Sequence, residues 1–233
     1  MKKVLLSIAL FVAAIFTVNA QTADEVIEKY ITEIGGADKW SKVQSIKIEG
    51  QIEVQGIQIP FTMQGLQLKG MRVDAEFQGN KIIDITTPTK GWAQNPLSGK
   101  ATLGPISEDE LKQKLDDLDI QDPFVDYKAK GSMIESLGKD EEDGNEYFKI
   151  KLTTKNGNEK TYFFDTKTNL IYKVESIVKQ QGQEMKSEQK LLDYQTIEYG
   201  IKFPFKQDQG QMMMVTKKIT INPSIDATIF NGN

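Results

Sequence analysis

The chain has 233 residues, of which 39% are hydrophobic and 27% charged, and a formal net charge of -4. Cysteine and histidine are both absent, which excludes disulfides, thiolate chemistry, histidine metal sites and the side chain most used for general base work near neutral pH. With no basic block in a weakly acidic chain, nucleic acid and anionic lipid surfaces are poor partners.

Residues 1–20 read as a secretory signal: Lys2 and Lys3, an apolar run from Val4 to Val18, then "VNA" with Val18 and Ala20 as the small cleavage-site residues. A membrane anchor is the alternative, but the run is short for a bilayer span. A lipid anchor needs a cysteine at the cleavage point, so the product is expected free in an envelope space, the periplasm, as one domain over 21–233.

Thr22 to Gly35 predicts a helix: "TADE" is a capping box, Val26, Ile27, Tyr30, Ile31 and Ile34 form one apolar stripe, and Gly35-Gly36 ends it. From Val43 the hydrophobic period changes to 2. Ile46, Ile48, Ile52 and Val54 alternate with polar residues, and Ile57, Ile59, Phe61 and Met63 follow a turn near Gly56. Leu66 and Leu68 then have the opposite parity, and Gly65 at that slip predicts a bulge. Met71 to Phe77 is the next strand, "QGN" turns into Lys81 to Thr86, and "KGWAQNP" closes a first meander.

Ser107 to Leu118 opens with "SEDE" and places Leu111, Leu115 and Leu118 on one stripe, which predicts a helix lying on the sheet. Strands resume at Met133–Leu137, Tyr147–Thr154, Glu159–Asp165, Leu170–Lys179, Glu184–Thr196, Ile201–Lys206 and Gln211–Ile221, with turns at "KNGN", "DTKTN", "KQQGQ" and "QDQG". The fold class is therefore α+β and mainly antiparallel β: a curved, unclosed β-barrel with helices covering its concave face.

No motif carries covalent chemistry. "DEEDG", Asp140 to Gly144, lacks the alternating-oxygen spacing of a calcium loop and reads as a solvated hairpin turn. "DDLD", Asp116 to Asp119, reads as the polar side of a helix end. The chain has no P-loop, no dinucleotide fingerprint and no nucleophile-elbow serine, so no catalytic residue, metal or cofactor is assigned. Arg72, the sole arginine, has two readings: a surface salt bridge with Asp74 or Glu76, or a latch that hydrogen-bonds a carbonyl on the helical lid.

The apolar inventory is the informative feature. In "GQMMMVTKKITI" Met212 and Met214 face one side of a strand and Met213 the other, where a loop or neighbouring layer must receive it. Methionine suits surfaces that fit variable partners. Such residues either fill a packed core or line a cavity for an acyl chain, which gains about 0.8 kcal/mol per buried CH₂.

Three features resemble the LolA-like proteins, the periplasmic family that carries and sorts outer-membrane lipoproteins. They are the signal followed at once by an amphipathic helix; "LKGMRVDAEFQGNKIIDITTPTKGWAQNP", similar to that family's strand, turn and W-x-x-N-P closure; and "YGIKFPFKQDQGQMMMVTKKITINPSIDATIF", similar to its G-x-x-F-P strand and terminal segment. The family's Lys-Arg-Pro step is Lys69-Gly70-Met71 here, so its arginine falls on Gly70.

The resemblance implies an unclosed barrel lidded by helices and a non-enzymatic carrier. Its cargo is an acylated lipoprotein or other amphiphile, and its partners are an inner-membrane donor and an outer-membrane acceptor. The expected cavity lining is Ile48, Ile52, Ile59, Phe61, Met63, Leu66, Val73, Phe77, Trp92, Met212 and Met214, with Arg72 as a possible lid latch. The alternative is an envelope sensor or interaction module that uses the same scaffold without cargo.

Overall fold

The structure, a computed structural model, describes residues 21–180 and 183–232. The expected signal, 1–20, and the centre of the "KQQGQ" turn lie outside them.

Helix α1, Ala23–Glu33, begins with the predicted capping box: the Thr22 side chain accepts from the Glu25 backbone N–H at 3.2 Å, and the Glu25 carboxylate accepts from the Thr22 N–H at 2.9 Å. Such a cap stabilises a helix by about 1 kcal/mol. Gly35, at φ +112°, ends it where a Cβ would stand 2.4 Å from the Gly200 carbonyl oxygen, so both the turn and the close approach require glycine. A one-turn helix that the sequence did not signal, α2 (Ala37–Trp40), then buries Trp40.

Among the described residues thirteen strands form a single antiparallel sheet. A first meander comprises β1 (Ser45–Val54), β2 (Ile57–Leu66), β3 (Gly70–Phe77), β4 (Asn80–Thr86), β5 (Gly91–Asn95) and β6 (Lys100–Pro105). A second comprises β7 (Met133–Glu142), β8 (Asn145–Thr153), β9 (Glu159–Asp165), β10 (Ile171–Gln180), β11 (Gln183–Thr196) and β12 (Lys202–Asp208). The last strand, β13 (Met212–Ile221), pairs with β1 on one side and β12 on the other and so joins the two. The edge strands β6 and β7 are not paired with each other, so the barrel is unclosed as expected.

Two expectations about the strands are corrected. No bulge occurs at Gly65: β2 keeps one register against β1 from Ser45 opposite Leu66 to Val54 opposite Ile57. Gly65 serves a close approach instead, since a Cβ there would lie 2.8 Å from Cγ2 of Ile120. The phase slip lies in β13, where Lys218 pairs with Glu49 but Thr216 pairs with Gly50, leaving Lys217 as the extra residue. That bulge brings Ile219 and Ile221 onto the same face as Met212 and Met214. The run "DEEDG" is also only partly a turn: Asp140 to Glu142 continue β7, and Asp143-Gly144, both at positive φ, make the two-residue hairpin.

The concave face is covered by three pieces. α1 buries Val26, Ile27 and Tyr30 against it. An irregular strap, 119–132, contributes Ile120, Phe124, Val125 and Tyr127 to the same core. Phe124 stands edge-on to Tyr162 at 4.8 Å and to Tyr30 at 5.9 Å between ring centres. The predicted helix at 107–118 is α3 (Glu108–Lys114) followed by a 3₁₀ turn, Leu115–Leu118.

Candidate functional site

Residues directly opposite in a ladder share a face, so the registers fix which side chains look inward. One row runs Leu191, Gln207, Met214, Ile52 and Ile59 across β11, β12, β13, β1 and β2. The adjacent inward rows hold Ile48, Met63 and Val73, and then Phe61 and Ala75, with Phe77 further along β3. Ile48 and Phe61 are fully enclosed beside α1 and the strap. Gly50 makes room for the Phe61 ring, which would be 2.9 Å from a Cβ there. Ile52, Ile59, Met63, Val73, Phe77, Met212 and Met214 are only half-buried and continue the apolar face beyond the enclosed end, with Ile52, Met63 and Met214 packed against the core there.

Two residues of the expected lining fall on the other face. Leu66 pairs with Gly70 and Trp92 with Ile85, on the side of the sheet that carries Arg72. Leu66 was placed by the Gly65 bulge, which is absent. In "KGWAQNP" no alternation fixes the phase, and Trp92 packs under the C-terminal segment, where a Cβ on Gly232 would be 2.2 Å from the indole.

Arg72 belongs to that same outer face. Its guanidinium donates to both carboxylate oxygens of Asp74, at 2.7 and 2.6 Å, which holds its pKa above the usual value. Nη1 donates to the Ile229 carbonyl at 2.9 Å. The salt-bridge reading is thus seen, and the latch is relocated: the carbonyl belongs to the 3₁₀ turn Ala227–Phe230, not to the helical cover.

The α3 cover is fastened from both sides of the open sheet. Lys114 is ion-paired with Asp84 of β4 at 2.6 Å, and Lys100 of β6 with Glu110 at 3.2 Å. On the far side Asp116 accepts from Thr154 Oγ1 at 2.9 Å, Asn156 Nδ2 at 2.7 Å and Asn158 Nδ2 at 2.6 Å, all on the β8–β9 hairpin. The backbone N–H of Leu68 donates to the Leu118 carbonyl at 2.8 Å and closes the top.

Beneath the cover lies a buried polar pair that sequence reading missed. The Tyr30 hydroxyl donates to Asp122, whose other carboxylate oxygen accepts from the Phe124 N–H at 2.9 Å. Burial pushes the Asp122 carboxyl up to about 6 even though Tyr30, Phe124 and Lys130 favour its charged form. Burial, and then the nearby Asp122 charge, raise Tyr30 as well. The only sequence signal was an aspartate one residue before Pro123.

Two clear surface depressions are polar and lie elsewhere. An open groove of about 680 Å³ follows Glu25, Glu28, Lys29 and Glu33 on α1, and a cleft of about 300 Å³ at the hairpin tips receives Met213 between Glu53, Gln58 and Asp208. The acidic run on β7 is neutralised locally, with Glu142 bridging Lys173 at 2.6 Å and Lys190 at 3.0 Å. Among the described residues no group of three or more acidic side chains is placed to hold a metal, and no helix is long and apolar enough to cross a membrane.

An unclosed antiparallel sheet whose concave face is covered by helices defines the LolA-like class of folds, and solved structures bear this out. A LolA superfamily protein from Nitrosomonas europaea matches with a TM-score of 0.57 at 12% identity, over 90% of this chain and 97% of that one. A DUF1329-family protein from Desulfovibrio piger matches with a TM-score of 0.55 at 11% identity, over 89% and 96%. A protein named for outer-membrane lipoprotein sorting, from Vibrio parahaemolyticus, matches with a TM-score of 0.53 at 11% identity, over 89% and 95%. No protein-family profile and no curated protein matches the sequence. The fold is LolA-like.

Proposed function

We propose that the protein binds the acyl chains of a lipoprotein or another amphiphile along this half-buried apolar face, as a carrier in the periplasm released from a cleaved signal. The observation that carries this reading is the row Met214, Ile52 and Ile59, half-buried on the concave side of a sheet whose cover is held by separable polar contacts. An apolar surface that is neither filled nor fully exposed is suited to take up a chain. Methionines at its rim adapt to chains of different length.

The test is native mass spectrometry with lipid extraction on the chain purified from a bacterial periplasm. A discrete added mass resolving into acylated species supports the reading. A clean unliganded mass, with no uptake of a fluorescent fatty acid, favours the alternative of an interaction module. That second reading has one observation behind it: under α1 the concave face is already filled by Phe124, Tyr30 and Phe164.

A further inference from the structure

The concave face is not apolar throughout. Across β9, β10 and β11, Lys160 is opposite Ser176 and Ser176 opposite Ser187, in one inward row. The face is fixed by their neighbours, since Lys160 also pairs with Leu152, and Val174 with Tyr162, all packed in or against the core. One row on, Gln189 of β11 donates through Nε2 to Oε1 of Gln207 at 2.6 Å, and Gln207 is directly opposite Met214. The hydrogen-bonding wall is therefore continuous with the apolar one.

Lys160 has no ion-pair partner among the described residues, whereas Lys114 of α3 is paired with Asp84, and Lys100 of β6 with Glu110 of α3. The carboxylate nearest in effect is Asp117 on the cover. It is exposed at the surface, yet surrounding protein raises its carboxyl, and Lys160 and then Lys114 oppose that shift. The half-buried Lys160 thus shares one face with two hydroxyls and two amides, all of them possible donors to an oxyanion. The apolar stretch of the face begins at the next strand, with Met214.

We infer that Lys160, Ser176, Ser187 and the Gln189–Gln207 pair form a head-group subsite for an amphiphile whose polar end is a phosphate or a similar oxyanion. The chain of that amphiphile lies along Met214 and Ile52, so this inference rests on the reading above. Ser176 and Ser187 offer hydroxyls at ladder spacing, and Lys160 supplies the charge. The glutamine pair marks the junction between head and chain.

Two probes of equal chain length separate the possibilities: a lysophosphatidic acid and the uncharged monoacylglycerol. Titrated against the chain from Gln21 by native mass spectrometry, the phosphate probe is expected to bind about tenfold tighter than the neutral one. Lys160→Gln is expected to remove most of that preference, and Lys160→Arg, which keeps the charge, to retain it. Inorganic phosphate alone is expected to leave the mass unchanged. Equal affinity for both probes, or a preference that survives in Lys160→Gln and in the Ser176→Ala/Ser187→Ala double variant, overturns the subsite while leaving acyl binding intact. Failure of both probes to bind overturns acyl binding and the subsite together. Phosphate binding as tightly as the lipid shows an ion site with no role for the chain, and equally overturns the inference.

Discussion

Phe230 sits directly on Gly70: a Cβ built on the glycine would be 2.5 Å from the ring carbon Cγ. The contact seals the outer face of β3 beneath the C-terminal segment, next to the Arg72 bond to Ile229. It also gives a physical reason for glycine at this position, because any side chain at position 70 would displace the ring. Gly70→Ala is expected to lower stability by about 1–3 kcal/mol through overpacking. Phe230→Ala is expected to cost about 3–5 kcal/mol by emptying the same contact. Urea denaturation of the two variants and their double measures both effects. Strictly additive costs would show that the ring and the glycine are not coupled.

The Arg72 contacts make a separate claim about the same segment. Arg72→Lys keeps a charge but loses the fork that engages Asp74 and Ile229 together. Its expected signature is faster amide exchange at 226–231 with β1 to β3 unchanged. Accelerated exchange over α3 instead would restore the lid-latch reading.

Asp122 makes stability depend on pH in a direction opposite to that of a salt-bridged carboxylate. Its folded value of about 6 lies above the ordinary aspartate value near 3.9, so the folded state binds the proton more tightly. The corresponding stability is fully present below about pH 3.9 and is lost as pH rises through about 6, a difference of about 3 kcal/mol. Asp122→Asn is expected to remove that component, so the urea midpoints of wild type and variant should diverge between pH 4 and 7. Tyr30→Phe removes a donor that favours the carboxylate and should push the Asp122 titration, followed by carboxyl ¹³C NMR, above 6. A carboxyl that titrates near 4 in the wild type would show that the site is wetter than its packing implies.

The cover depends on Asp116, which gathers three donors from a single hairpin. Asp116→Ala leaves those donors without their acceptor and is expected to cost about 2 kcal/mol of local stability. Hydrogen exchange over 108–118 should quicken while β8 and β9 keep their protection. If the carrier reading holds, fluorescent fatty acid should also enter faster. Unchanged exchange over 108–118 would mean that Lys114 and the Leu68 backbone bond hold the cover without the hairpin.

Much of this architecture was legible because its causes are local. The capping box at Thr22, the strict alternation in β1 and β3 and the turn chemistry at Asp143-Gly144 each act within a few residues. Facing was less legible, since it depends on partners. Gly65 looked like a bulge because Leu66 broke parity, but the residue is small to admit Ile120 from a segment more than fifty positions away. The bulge that β1 meets, at Lys217 of β13, is set by how β13 must meet β1 after the chain has gone round the whole sheet. Trp92 enters the expected lining through the apolar inventory, with no alternation to fix its phase, and packs under the C-terminal segment. The polar wall was missed for a related reason: Lys160, Ser176 and Gln207 are ordinary in their own strands and become a group only through the ladders.

The position of β13 has a consequence in time as well as in space. Among the described residues it is the seam between two meanders that share no other ladder, yet its residues, Met212 to Ile221, follow both of them in the chain. While a polypeptide is delivered from its N-terminal end, the first meander has β1 as a bare margin and the second has β12, and neither has a partner for that margin. The β1–β13 ladder, so distant in sequence, forms slowly, whereas β12 meets β13 across a short turn. The two meanders thus share no ladder until β13 arrives, and that single strand joins both halves of the sheet.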